Sequence, residues 1–158
     1  MKNLIIAGIV GAALSVSCST AKMAQDNRAE FLKLKGDWQI TSVNYDKALQ
    51  VRPFDDGADA QCFVGSTWHL VPNNYSGTYS VNGGESCPTF TQPIKFEVIG
   101  GSTFQFKKIN DGEKAKNVTA GYQLNLVDQS ENAFTLEQNV PFEGNLVKVV
   151  YQFQKVSS

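Results

Sequence analysis

Beyond Leu34, apolar side chains recur at every second position through most of the chain. This alternation is typical of β-strands with one buried face, because successive side chains of a strand point to opposite sides. No stretch after Leu34 shows the period of about 3.6 residues that an amphipathic helix has. The pattern therefore predicts a sheet with an apolar inner face and a polar outer face.

We predict eight strands from this alternation and from the turn residues between its segments. In the first strand, Trp38, Ile40 and Ser42 are expected to share one face. Residues 29–34 predict a short helical turn before it, and Gly36 is the expected stop. The predicted strands cover residues 37–44, 66–71, 78–81, 94–98, 104–106, 122–126, 134–136 and 146–156.

The order of these strands favours an eight-stranded antiparallel up-and-down β-barrel, in which closure leaves no strand edge unpaired. A sandwich of two sheets is the competing architecture. The long last strand favours the barrel, because it can pair with the first strand and close the ring. A barrel of this size is filled by its own side chains or holds one small ligand.

The N-terminus has the layout of a secretory signal. Lys2 precedes an apolar run from Leu4 to Val16, and the small residue Ser17 stands directly before Cys18. The run of about 13 residues is shorter than the roughly 20 that a membrane-spanning helix needs. A cysteine at this point is typical of bacterial lipoprotein signals, in which it becomes the lipid-bearing N-terminus. Ordinary secretion with a chance cysteine is the alternative.

These observations predict three segments: a signal peptide at 1–17, a lipidated N-terminus and polar tether at 18–30, and a barrel domain at 31–158. A lipid on Cys18 would hold the protein on a membrane of the bacterial cell envelope. The lack of acidic residues directly after Cys18 favours an anchor that faces the periplasm. The net charge of −1 gives no electrostatic reason to expect a nucleic-acid partner, and we expect a monomer.

The chain has three cysteines, and lipidation of Cys18 would leave Cys62 and Cys87 as one pair. In an oxidising compartment this pair predicts a disulfide, and two free thiols are the alternative. On the chain-entropy model the bridge would stabilise the fold by roughly 3.5 kcal/mol.

Side chains suited to catalysis or metal binding are few. The single histidine, His69, alternates with apolar neighbours and is expected to face solvent, and no nucleophile elbow accompanies it. Asp55, Asp56 and Asp59 offer oxygen ligands for calcium, but they lack EF-hand spacing and its closing glutamate, so a solvated acidic loop is favoured. We therefore predict no catalytic residues, no metal and no cofactor.

Aromatic side chains on the predicted inner face are the candidate lining of a binding cavity, since small-molecule pockets are mostly apolar with a few polar groups. The hydroxyls of Tyr122 and Tyr151 would orient a ligand. The same rings would also suffice to fill a narrow barrel, so an open pocket and a filled core remain equal alternatives. The candidate lining is Trp68, Phe96, Phe104, Phe106, Tyr122, Phe134, Tyr151 and Phe153.

The segment Gly36-Asp37-Trp38 resembles the Gly-x-Trp motif with which lipocalins begin their first strand. Residues 31–35 stand where lipocalins have a helical turn that covers one end of the barrel. The resemblance implies that the chain bends at Gly36 and that Trp38 fills the closed end. It also implies a basic side chain across this tryptophan, for which Lys155 is the first candidate and Arg28 the second.

The order of Cys62, Trp68 and Cys87 is similar to that in lipocalin-like domains of bacterial lipoproteins, and the resemblance covers about residues 32–156. It implies a non-enzymatic, membrane-anchored barrel that binds or carries a small hydrophobic ligand. The long loop at 45–61 is expected near the mouth of the barrel, where it would contribute to selectivity. The alternative is a filled barrel that serves as a protein-interaction or envelope-assembly module without a small-molecule ligand.

Overall fold

The computed structural model describes residues 16–157. Within this range eight antiparallel strands form one closed barrel, in which each strand pairs with its neighbours in sequence and the last pairs with the first. The predicted barrel is thereby confirmed and the sandwich is excluded. The strands are β1 (Gly36–Asn44), β2 (Thr67–Val71), β3 (Ser76–Gly84), β4 (Cys87–Ile99), β5 (Thr103–Lys108), β6 (Tyr122–Gln129), β7 (Ala133–Phe142) and β8 (Asn145–Ser157).

The inner face of β1 differs from the prediction because the strand contains a bulge. The register against β8 shifts between Ile40 and Ser42, and Val43 is buried in place of Ser42. A bulge inserts one extra residue and so moves the following side chains to the other face. The prediction that Ser42 shares the inner face with Trp38 is therefore wrong.

Several strands are longer than their alternation predicts, and the last hairpin is tighter. The predicted strands 134–136 and 146–156 leave residues 137–145 between them, but Pro141 and Phe142 belong to β7 and pair with the start of β8. Only Glu143 and Gly144 lie between the strands, with φ of 46° and 80°. Two central residues of positive φ match the twist of the flanking strands, which allows the ladder to continue to the turn.

The N-terminal helix is longer than the predicted turn. It runs from Val16 to Leu32 and is labelled α1, so the residues predicted as a tether are helical. Between Val16 and Lys35 the sequence contains neither glycine nor proline and has several strong helix formers. The predicted signal peptide lies mainly outside the described residues. Between residues 16 and 157, no helix is both long enough and apolar enough to cross a membrane.

Trp38 fills the end of the barrel at which the chain enters β1. Its indole Nε1 donates to the Leu34 carbonyl oxygen at 2.8 Å, and its ring meets Phe134 edge-on at a centroid distance of 4.6 Å. Lys155 Nζ lies 5.0 Å from the centre of the Trp38 ring, so Lys155 is the basic side chain that the resemblance implied across this tryptophan. We call this region the closed end.

The second candidate, Arg28, has a different position. Its guanidinium lies 5.5 Å from the ring centres of Phe31 and Tyr75. Phe31 is buried and stacks on Tyr75, so the last turns of α1 pack on the closed end through an aromatic contact. Helix α1 therefore packs at the end of the barrel opposite the long loop between β1 and β2, and we call the end with that loop the open end.

Candidate binding site in the barrel lumen

The rings that the sequence analysis assigns to the cavity lining lie in one apolar cluster inside the barrel. All but Tyr122 are buried, and Tyr122 lies partly exposed at the edge of the cluster. Their role as ligand contacts remains a prediction. The set in the cluster is Trp68, Phe96, Phe104, Phe106, Tyr122, Phe134, Tyr151 and Phe153.

The centre of this cluster is occupied by Phe54, which belongs to no strand. Its side chain is 1% exposed, although it comes from the loop between β1 and β2. Several of the contacting rings are edge-on, an arrangement that aromatic pairs favour. The rings around Phe54, at centroid distances from 5.1 to 6.4 Å, are those of Phe63, Trp68, Tyr79, Phe106, Tyr122 and Tyr151.

Residues 51–60 enclose Phe54 in a compact turn, which we call the plug. The Ala60 amide donates to the Val51 carbonyl oxygen at 2.7 Å and so joins the two ends of this segment. Asp55 and Gly57 have positive φ, of 53° and 79°, which turns the chain back on itself. The plug therefore enters the open end of the barrel as a hairpin-like insert with the phenyl ring at its tip.

Polar side chains of the strands bind the backbone of the plug. Lys108 Nζ and the Tyr122 hydroxyl donate to the Phe54 carbonyl oxygen, at 2.5 and 2.9 Å. Gln138 Nε2 donates to the Pro53 carbonyl oxygen at 3.0 Å. Gln138 is buried and accepts from the Tyr151 hydroxyl at 2.7 Å, which orients its amide. The barrel thus holds the plug by hydrogen bonds as well as by ring contacts.

The acidic residues of the loop also face the barrel. Asp56 Oδ2 accepts from the Tyr79 hydroxyl at 2.8 Å. Asp55 Oδ2 lies 3.0 Å from the Tyr122 hydroxyl and shares its single proton with the Phe54 carbonyl oxygen. Asp59 Oδ2 accepts from Tyr45 and from the Gln61 amide. The favoured prediction of a solvated acidic loop is confirmed for Asp55, which is exposed, whereas Asp56 and Asp59 are partly buried, and all three carboxylates also accept from tyrosines.

These carboxylates do not form a calcium site in the structure, since each binds a different tyrosine. In the part of the chain that the structure describes, no three His, Cys, Asp or Glu side chains are grouped to hold a metal ion.

The tyrosine hydroxyls of the open end remain protonated at neutral pH. Burial raises the pKa of Tyr79 well above its ordinary value, and the neighbouring charge of Asp56 raises it further. Burial, with a hydrogen bond to Asp59, raises the pKa of Tyr45 to about 12. These groups therefore act as neutral hydrogen-bond donors to the plug.

A disulfide fixes the chain that follows the plug. Cys62 and Cys87 are bonded, as predicted, and their Cα atoms are 5.5 Å apart. Cys62 lies in the short 3-10 helix Ala60–Phe63, and Cys87 begins β4. The bridge therefore joins the C-terminal side of the plug to the rim of the barrel.

A family model described as a lipocalin-like domain matches residues 34–136. The chain belongs to the lipocalin-like domain family. The match covers the closed-end tryptophan, the plug and the disulfide, and it confirms the predicted resemblance. None of the curated proteins compared with the chain matches it.

Solved structures similar to this lipocalin-like domain include two bovine proteins and one from lobster. Bovine odorant-binding protein in complex with a selenium-containing odorant is 11% identical with a TM-score of 0.46, covering 81% of this chain and 73% of its own. The bovine lipocalin allergen Bos d 2 is 14% identical with a TM-score of 0.46, covering 82% and 77%. Lobster apocrustacyanin A1 is 10% identical with a TM-score of 0.43, covering 90% and 69%.

His69 lies on the outer surface of the lipocalin-like barrel, as predicted. Its Nδ1 is 2.5 Å from Asp37 Oδ1, and Asp37 also accepts from the Ser157 hydroxyl at 2.6 Å. Both hydrogen bonds lower the pKa of Asp37, and the bond from Ser157 has the larger effect. In a nucleophilic triad the histidine stands between serine and carboxylate, whereas here the carboxylate stands between the other two. The arrangement is a surface hydrogen-bond chain at the closed end.

A concave region lies along β4, β5 and β6. Its volume is about 550 Å³, and its lining combines polar side chains and residues 118–121 with Phe96, Phe106 and Tyr122, which also belong to the lumen cluster. Lys107 Nζ crosses this region to donate to the Val118 carbonyl oxygen at 3.1 Å. The groove therefore shares three aromatic residues with the lumen cluster and adds polar side chains to them, a combination that is common in small-molecule pockets.

Sequence reasoning missed Phe54, Tyr79, Lys108 and Gln138. Tyr79 follows the alternation of β3, so its inward position was available from the sequence. Phe54 shows no such signal, because it lies among proline, acidic and glycine residues in a loop. Lys108 and Gln138 reveal their role only through contacts with the plug, 54 and 85 residues away in sequence.

Proposed function

We propose that this lipocalin-like domain binds a small hydrophobic molecule in its lumen and that the plug occupies the site until the ligand enters. The observation that carries the proposal is the position of Phe54, a loop side chain at the centre of an aromatic cluster. A loop phenyl ring in this place supports the proposal, because it is an apolar group that the strands surround. Because this ring is on a loop, it can leave without breaking the strand ladder.

The closed barrel does not depend on the plug for its hydrogen bonds. Adjacent strands pair with each other around the whole ring, and residues 51–60 belong to none of these strands. Burial of a phenylalanine side chain contributes about 1.5–3 kcal/mol. A ligand that takes the place of the plug therefore has to replace both this apolar area and the hydrogen bonds that the strands make to the plug.

The packing of Phe54 also favours the second candidate function, a filled barrel that acts as a protein-interaction or envelope-assembly module. In that case the plug is a permanent part of the core. The two candidates differ in one property, which is whether an external apolar molecule competes with Phe54.

The test measures fluorescence of the neutral apolar probe N-phenyl-1-naphthylamine with the wild-type protein and with Phe54→Ala. We expect saturable binding to the wild type, displacement by an envelope lipid extract, and tighter binding to Phe54→Ala by about tenfold. The apparent affinity equals the intrinsic affinity multiplied by the fraction of molecules in which the plug is withdrawn, so the plug lowers it. Leu146→Ala is the control, because Leu146 is 68% exposed on β8 and lies outside the lumen cluster.

Two outcomes would count against the ligand proposal. If the wild type shows no saturable binding, the filled-barrel function is favoured. If Leu146→Ala changes affinity as much as Phe54→Ala, the probe binds a surface and not the lumen.

We further propose that the domain is anchored to a bacterial envelope membrane through a lipid on Cys18 and faces the periplasm. Cys18 is exposed and outside the disulfide, at the start of α1. This proposal predicts a diacyl or triacyl mass addition at Cys18 in the membrane fraction, and Cys18→Ser should release the protein. An unmodified Cys18 in a soluble protein would contradict it.

A further inference from the structure

We infer that the ligand carries a carboxylate at one end of an apolar body and that the plug imitates it. This inference rests on the proposed function and specifies the chemical class of the ligand. It follows from the direction of every hydrogen bond between the strands and the tip of the plug.

The strands contribute only donors to this contact. The donors are the Lys108 ammonium, the Gln138 amide nitrogen and the hydroxyls of Tyr79 and Tyr122. The plug contributes only acceptors, which are the carbonyl oxygens of Pro53 and Phe54 and the carboxylates of Asp55 and Asp56. The tip of the plug is therefore a phenyl ring that carries oxygen acceptors and negative charge.

The donors are held in this role by their surroundings. Gln138 has its amide oxygen occupied by the Tyr151 hydroxyl, so its nitrogen faces the plug. Lys108 Nζ lies 5.7 Å from the ring centre of Tyr122, beside the carbonyl oxygen that both groups bind. The donor set is thus part of the strands and stays in place when the loop moves.

Withdrawal of the plug removes two carboxylates and two carbonyl oxygens from these donors. A hydrocarbon ligand would replace the phenyl ring but would leave the donors, including one cation, without partners. Gln138 and Tyr79 are buried, so the loss of their acceptors is costly, whereas Lys108 and Tyr122 are partly exposed and water would replace part of theirs. Hydrogen bonds to charged groups are stronger than those between neutral groups. A carboxylate next to the apolar body would restore both the acceptors and the charge.

The experiment compares 4-phenylbutanoate with 4-phenylbutan-1-ol, which share a phenyl ring and chain length. Binding to the wild-type protein is followed by the NMR shift of the Trp68 indole N–H, because this ring contacts Phe54. We expect the Kd of the acid to be about tenfold lower than that of the alcohol. This arm needs no variant and is therefore independent of any folding defect.

Variants at two lysines then test which residue causes the preference for the acid. Lys108→Met should reduce the acid-to-alcohol preference to within about threefold, and Lys108→Arg should retain it. The ratio of the two Kd values is the readout, because loss of the Lys108 bond to the plug changes the affinity of both compounds alike. Lys35→Met is the matched control, because it removes the same charge from an exposed lysine at the closed end. Its preference should equal that of the wild type.

The outcomes separate this inference from the proposed function. Equal binding of acid and alcohol to the wild type would overturn the carboxylate inference and leave the lumen proposal standing. Binding of neither compound, together with no binding of the neutral probe, would overturn the proposed function itself. A preference that Lys35→Met abolishes as fully as Lys108→Met would show a general charge effect and would also overturn the inference.

Discussion

The two ends of the barrel are closed by different parts of the chain. At the closed end, Trp38 is a strand residue and is bound by the carbonyl of Leu34, four positions earlier. At the open end, Phe54 is a loop residue held by polar groups from β5, β6 and β7. The first closure is part of the strand structure, whereas the second belongs to a loop that we propose can be withdrawn. On that proposal the closed end serves stability and the open end serves ligand exchange.

The largest effect is expected at the closed end. Trp38→Ala should lower the free energy of unfolding by about 4 kcal/mol, because it leaves a cavity among fixed strands. Urea unfolding measures this loss. Trp38→Phe is the control, since it keeps a ring but loses the hydrogen bond to Leu34. A loss below about 2 kcal/mol for the alanine variant would show that the two ends do not differ in this way.

The disulfide should give the next largest effect. The double variant Cys62→Ser with Cys87→Ser should lose about 3.5 kcal/mol on the chain-entropy model. The loss should be accompanied by faster amide exchange in the plug, because the bridge lies on its C-terminal side. Cys18→Ser, which leaves the bridge intact, should unfold as the wild type does. Equal acceleration of amide exchange at the two ends of the barrel would contradict a local role of the disulfide at the plug.

Phe54→Ala should cost less than Trp38→Ala, about 2 kcal/mol by urea unfolding. Buried phenylalanine usually costs about 3–5 kcal/mol when truncated, but a loop can readjust and water can enter from the rim. A loss equal to that of Trp38→Ala would mean that the plug is a fixed part of the core. In that case the contrast between the two ends would fail.

Alkaline pH should weaken the open end selectively. Tyr79 has a folded pKa raised above its unfolded value of about 10, so its stabilisation is complete below pH 10 and is lost as pH rises further. At pH 11 the expected loss is about 1 kcal/mol for this residue. Stability measured from pH 8 to 11 should fall less in Tyr79→Phe than in the wild type. Parallel curves for the two proteins would contradict this assignment.

The sequence predicted the closed end well because its determinants are local. Leu34, the segment Gly36-Asp37-Trp38 and the alternation along β1 all lie within residues 34–44, shortly after the end of α1. Alternation also identified the strands, since burial of one face repeats every second residue. The bulge after Ile40 escaped prediction because no residue type in that strand marks it.

The open end was only partly predictable because its contacts are distant in sequence. Phe54 meets Tyr122 across 68 residues, and no periodicity links the two. An acidic loop with proline and glycine is typical of a solvated segment. This composition does not indicate that the carboxylates accept hydrogen bonds from tyrosines. The choice between open and filled lumen likewise depended on where one loop side chain lies.

Native-state hydrogen exchange tests most directly whether the plug opens independently of the barrel. The Ala60 amide bonds within the plug, and the Phe96 amide bonds to Tyr75 beside β4. We predict that Ala60 exchanges through a local opening with a free energy well below that of global unfolding, whereas Phe96 exchanges near the global value. If both amides exchange only with global unfolding and with the same denaturant dependence, the plug is a permanent core element and the lumen is not a binding site.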